Sequence, residues 1–158
     1  MLHIYQTTAK EVKTKLKEVL TPYICGDYVI LRTECGKPYI EGNPVYFSLA
    51  HCEDTAVIAI ASNPVGIDLE LIRERKFFAV LSRFTPREID DISGSTVSFL
   101  KNWVAKEAYI KMTGGTLARD LKRLEFYGGK LYFNGVQKSV IFEDICGAIC
   151  AVCLEENV

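Results

Sequence analysis

The sequence predicts an α+β fold, antiparallel sheets with helices packed against them, and three observations carry that reading. Short β-rich runs broken by tight turns fill both ends of the chain, helical signals gather in the middle, and the two kinds of segment do not alternate. Met1–Thr7 reads as a strand, and Thr8–Leu20 as an amphipathic helix stopped by Thr21-Pro22. Tyr28–Arg32 reads as a strand before a turn at Gly36-Lys37-Pro38. Val45–Ala50 and Thr55–Ala61 form two strands around Cys52-Glu53-Asp54, and Val65–Glu70 a third after Ser62-Asn63-Pro64. Thr85-Pro86-Arg87-Glu88 carries a capping Thr, Pro at the first helical position and a Glu placed to close a capping box. A long helix follows from Val97 to Thr113, ended by Gly114-Gly115. Leu124–Tyr127, Lys130–Phe133 and Val136–Phe142 make a meander through two-residue turns at Gly128-Gly129 and Asn134-Gly135, and Ala148–Leu154 is the last strand.

Composition narrows the function. The chain has 158 residues, 49% hydrophobic and 25% charged, with a net charge of −1. That length suits one compact domain spanning 1–158. A near-neutral balance excludes a general nucleic-acid binder, which would be strongly basic. The longest apolar run, Cys146–Leu154, is too short to span a bilayer, so no membrane role is expected. Met1–Tyr5 shows no charged-then-apolar leader, and the six cysteines then read as free thiols of a cytoplasmic protein. Cys146, Cys150 and Cys153 have the spacing of some iron–sulfur ligands, but a strand turns Cys153 away from the other two, so burial is the better reading.

Chemistry concentrates in two segments. In Gly66-Ile67-Asp68-Leu69-Glu70, strand alternation puts Asp68 and Glu70 on one face, roughly 6.5–7 Å apart at Cα. Taken alone, this is an amphipathic strand with an acidic wet face. On the long helix, counted from Phe99 at about 100° per residue, Glu107 falls near 80° and Lys111 near 120°. Both lie within the apolar arc of Phe99, Leu100, Trp103, Val104, Ala108 and Ile110, while Lys101, Asn102, Lys106 and Tyr109 occupy the opposite arc. An inward Glu costs several kcal/mol unless paired or bound to a cation. A Glu107–Lys111 pair would satisfy it in part, but explains neither the placement nor the acidic strand. Convergence of Asp68, Glu70 and Glu107 would call for a hard divalent cation with oxygen ligands, and Mg²⁺ beside a phosphate group fits.

These residues resemble the paired signatures of the 4′-phosphopantetheinyl transferases. Gly66–Glu70 is similar to G-[VI]-D-[VI]-E, and Trp103–Ala108 with Lys111 to W-[ST]-x-K-E-[AS]. Gly36-Lys37-Pro38-Tyr39, Phe47-Ser48-Leu49-Ala50-His51 and Phe84-Thr85-Pro86-Arg87-Glu88 resemble three further segments of that family, in the same order. The resemblance is to the larger, synthetase-activating type and implies its pseudo-twofold fold, with halves at 1–62 (abbreviated) and 63–158. It implies transfer of the 4′-phosphopantetheine group of coenzyme A to a serine of an acyl- or peptidyl-carrier protein, releasing adenosine 3′,5′-bisphosphate. Asp68, Glu70 and Glu107 would hold Mg²⁺, with Glu107 also the base for the serine proton. Lys111, and more weakly Lys106, would stabilise phosphate charge, and Lys37 and His51 map onto coenzyme A contacts. Arg73, Arg75, Lys76, Arg83 and Arg87 would steer an acidic carrier protein.

Two departures matter. Ala50 and Cys52 stand where the family usually has Ser on either side of the histidine. The first half is also short, and it normally supplies basic residues to the 3′-phosphate of coenzyme A. Lys10, Lys13, Lys15, Lys17 and Arg32 are the candidates to replace them. A non-catalytic binding module of the same fold, or another Mg²⁺-dependent phosphoesterase, are the competing readings.

Overall fold

The computed structural model describes residues 1–42, 44–73 and 78–156. The first part comprises β1 (Leu2–Thr8), α1 (Val12–Leu20), β2 (Ile30–Arg32), β3 (Pro38–Ile40), β4 (Tyr46–Cys52), β5 (Thr55–Ala61) and β6 (Val65–Leu71). There follow α2 (Phe78–Leu81), α3 (Pro86–Ile92), α4 (Thr96–Thr113) and α5 (Leu117–Asp120), then β7 (Leu124–Tyr127), β8 (Lys130–Phe133), β9 (Val136–Lys138), β10 (Ile141–Ile145) and β11 (Ala148–Leu154). The mixture of helix with wholly antiparallel sheet is the α+β plan expected.

Two three-stranded sheets carry the fold, ordered β1-β5-β4 and β10-β11-β6. They pack through one core between them, where Val57, Ala59 and Ala61 meet Val65, Ile67 and Leu69. α1 covers the outer face of the first sheet with Leu16, Val19 and Leu20. α4 covers the outer face of the second, across β6 and β11, with Leu100, Val104, Ala105 and Ala108 all at 0% exposure. The β2–β3 hairpin and the β7-β8-β9 meander flank these layers.

Local chemistry sets most boundaries. Thr85 caps α3 through the Glu88 backbone N–H, and Glu88 returns the contact, so the capping box forms. Asn134 and Gly135, like Gly128 and Gly129, have positive φ, as two-residue hairpin turns between right-twisted strands require. α1 begins later than expected, at Val12, because Thr8 still pairs with Thr55 in the first sheet. The run Val136–Phe142 is not one strand: β9 pairs with β8, whereas β10 pairs with β11.

The largest correction concerns α4. Asn102, Lys106 and Tyr109, expected on its wet face, are all buried. The helix packs on β6 and β11 on one side and against α3 and β7 on another, so little of its circumference reaches water. Cys150 faces the core between the sheets and Cys153 faces α4, so they cannot share a cluster. Burial pushes both thiols up to about 12. All six cysteines are free. Among the described residues no helix is long and apolar enough to cross a membrane.

Candidate active site

β6 and α4 build the site together. Gly66 lets them touch: a β-carbon there would stand 1.9 Å from the Ala108 carbonyl oxygen and 2.3 Å from the Met112 backbone nitrogen. With α4 drawn onto the strand, Asp68 and Lys111 meet, and Lys111 Nζ donates to Asp68 Oδ1 at 2.7 Å and to the Leu49 carbonyl oxygen at 3.4 Å. Ser48 Oγ accepts from the Ile67 backbone N–H at 3.1 Å, tying β4 to β6 beside this pair.

Three carboxylates share the electrostatics. Burial pushes the Glu107 carboxyl up to about 7, the neighbouring Asp68 charge pushes the same way, Lys111 pulls back, and Glu70 adds a smaller push. Asp68 is also raised by burial, partly offset by Lys111. Glu70 receives the Cys52 thiol at 3.7 Å. Among the described residues no group of three His, Cys, Asp or Glu side chains is arranged to hold a metal ion, and in this structure Lys111 is the cation bonded to Asp68. The donor chemistry of Asp68, Glu70 and Glu107 is nonetheless oxygen-only, the kind that a hard cation takes.

A cleft of about 500 Å³ opens beside the cluster. Glu107, Ile110 and Lys111 form one side, and Phe47, Ser48 and Leu49 line it from β4. Arg32, Cys35 and Lys37 border it from the β2–β3 hairpin, and Gly114, Gly115, Thr116 and Leu117 form a strap beyond the end of α4. The strap was legible only as a helix stop; its Thr116 cap on the Arg119 N–H (3.3 Å) was the available signal.

The expected site residues separate into two groups. Lys37 lines the cleft, but its ammonium donates to the Met112 and Val65 carbonyl oxygens, and burial lowers it to about 8. Lys106 does not line the cleft. It is 0% exposed, ion-paired to Glu88 and seated 4.1 Å over the Phe84 ring, so the expectation that it touches phosphate is corrected. His51 is exposed on β4 and is not among the cleft's lining residues, against the expectation of a coenzyme A contact from this conformation. Arg75 and Lys76 lie outside the described residues.

Residues 64–141 match the family model described as the 4′-phosphopantetheinyl transferase superfamily, a stretch that contains Asp68, Glu70, Glu107 and Lys111. The chain belongs to that superfamily. It is 33% identical over 94 residues to the 4′-phosphopantetheinyl transferase of Bacillus subtilis, covering 56% of this chain and 42% of that protein. It is 33% identical over 116 residues to the 4′-phosphopantetheinyl transferase psf-1 of Bacillus pumilus, covering 65% and 50%. An L-aminoadipate-semialdehyde dehydrogenase-phosphopantetheinyl transferase of Pongo abelii is 34% identical over 115 residues, covering 60% and 37%. The chain therefore spans half or less of the length of these transferases. In the superfamily's terms, the glycine of the first signature is the contact that seats the second signature's helix, and Asp68 and Lys111 link the two.

Proposed function

We propose that this chain transfers the 4′-phosphopantetheine group of coenzyme A to a serine of an acyl- or peptidyl-carrier protein. The observation that carries the reading is the meeting of Asp68 and Lys111, with Glu107 on the wall of a cleft, inside the stretch that matches the superfamily. In the reaction the serine oxygen attacks the β-phosphorus of coenzyme A. The bond to the bridging oxygen breaks, and adenosine 3′,5′-bisphosphate leaves with the bonding electrons.

Glu107, as carboxylate, takes the serine proton. Lys111 turns from Asp68 toward the phosphates and offsets charge as the bridging bond breaks. Asp68, Glu70 and Glu107 are the residues that would hold Mg²⁺, which when bound would neutralise pyrophosphate charge. Lys37 borders the cleft and would supply a second cation to the phosphates. We place the reaction in the cytoplasm.

The test is to incubate the chain with coenzyme A, Mg²⁺ and an apo-carrier protein, then weigh the carrier by mass spectrometry. A gain of one phosphopantetheine is expected, lost on chelation and restored by Mg²⁺. Binding of coenzyme A without any gain would make the chain a non-catalytic module. Cleavage of coenzyme A without transfer would make it a phosphoesterase.

A further inference from the structure

Against the strap, at Gly115 and Thr116, stands a second charged cluster that the proposed chemistry does not use. Asp120 is 3% exposed, and its carboxylate accepts from Arg119 Nε at 3.0 and 3.1 Å and Arg119 Nη2 at 2.8 Å. It also accepts from Arg123 Nη1 at 3.3 Å and the Thr116 backbone N–H at 3.0 Å. One carboxylate between two guanidiniums leaves the cluster net positive. The two arginines differ in what else they touch. Arg123 lies 4.4 Å over the Phe133 ring. Arg119 is 59% exposed and lies at the cleft's rim: its Nη2 would stand 3.0 Å from a β-carbon on Gly115, and its guanidinium meets the Cys35 thiol of the opposite wall. Asp120 occupies Nε and Nη2, so the two N–H groups of Nη1 are not taken by that carboxylate.

We propose that Arg119, aimed by Asp120, binds the 3′-phosphate of coenzyme A and so sets the preference for the phosphorylated cofactor. The proposal rests on the transferase reading above. A phosphomonoester dianion is the ligand that a planar guanidinium recognises best. The spacing suits the substrate: Glu107 and Gly114 are seven residues apart on α4 and its cap, a rise of about 10 Å, which leaves room for the ribose between the pyrophosphate and the 3′-phosphate. Arg32 lines the cleft from the hairpin that also carries Cys35, and would bring a second guanidinium to that phosphate. A pre-aimed arginine here would take the place of the basic residues that a longer first half supplies. Asp120 is a positioning residue, since it touches Arg119 and the strap rather than the ligand.

The experiment compares binding of coenzyme A and 3′-dephospho-coenzyme A to the full chain by calorimetry, without carrier protein. Wild type is expected to prefer coenzyme A. Arg119→Gln should weaken coenzyme A binding roughly 10- to 100-fold and leave dephospho-coenzyme A nearly unchanged, collapsing the preference. Arg123→Gln, which loosens Asp120 from its other side, should keep the preference. Equal weakening of both ligands by Arg119→Gln would overturn the proposal, because a strap held in place only structurally serves both alike. No change in either would overturn it too. If wild type binds with the expected preference but transfers nothing, the transferase reading fails and the assignment of Arg119 stands. If wild type binds neither ligand, both fail.

Discussion

Gly66 and Ala108 are in backbone contact: a single added β-carbon on the strand would reach 1.9 Å from the helix carbonyl oxygen. Neither backbone can give way alone, because Ala108 is fully buried and β6 is paired with β11 along its whole length, from Val65 to Leu71. Gly66→Ala should therefore push α4 off β6 and separate Lys111 from Asp68. Overpacking of this kind costs about 1–3 kcal/mol, and a displacement near 1 Å costs about 100-fold in rate. Urea titration and the carrier assay on the folded variant should show both losses. Wild-type stability in Gly66→Ala would mean that strand and helix are not in contact.

The Lys106–Glu88 pair should prove a scaffold. Glu88 is fully buried and also accepts from the Phe126 N–H at 2.7 Å and Asn102 Nδ2 at 3.0 Å, tying α3, α4 and β7 together. Removing one partner of a buried pair typically costs about 3–5 kcal/mol, so Lys106→Met should unfold at markedly lower denaturant. Glu88→Leu should cost more, since the Phe126 and Thr85 backbone N–H groups and Asn102 Nδ2 also lose their acceptor. The double variant should regain part of the loss relative to Glu88→Leu. Turnover per folded molecule of Lys106→Met should stay within a few-fold of wild type; a collapse of kcat in a fully folded sample would return Lys106 to the chemistry.

What was legible in the sequence was local. The capping box at Thr85 and Glu88 and the Asn134-Gly135 turn each depend on residues within four positions, and each forms. The strand period sets Asp68 on the face away from Val65, Ile67 and Leu69, and the helix period turns Lys111 inward, but neither period says that the two form an ion pair. The α4 wheel failed at Asn102, Lys106 and Tyr109 because a wheel assumes one buried side, whereas this helix is covered from two. Arg119 and Asp120 left no periodic trace, lying in a four-residue helix whose significance is set by the strap it holds.

Glu107 makes the metal-free fold respond to pH in a characteristic direction. Its pKa is raised from 4.5 to about 7 in the folded chain, so between those values the folded state holds a proton that the unfolded state has released. Its contribution to stability is present below pH 4.5 and lost as pH rises through 7. Glu107→Gln should flatten that loss, and at pH 8 in chelator it should melt above wild type. Addition of Mg²⁺ should raise the wild-type Tm at pH 8 and shift the variant less. An equal Mg²⁺ response in both would remove Glu107 from the ligand set.

Lys37 should act with the opposite sign and at higher pH. Burial at the C-terminal end of α4 lowers its pKa from 10.5 to about 8, against a smaller opposing pull from Glu155. Between those values the unfolded chain holds the proton and the folded chain does not, so stability should rise with pH across that window. Lys37→Met keeps the apolar stem but has nothing to titrate, so its melting curve should lack the rise. The variant also deprives the Met112 carbonyl of a donor at the helix end, which should lower stability below pH 8, where the wild-type ammonium is charged. The two melting curves should therefore differ in slope above pH 8 as well as in height below it. Parallel curves across the whole range would mean that the Lys37 ammonium is solvated and does not cap α4.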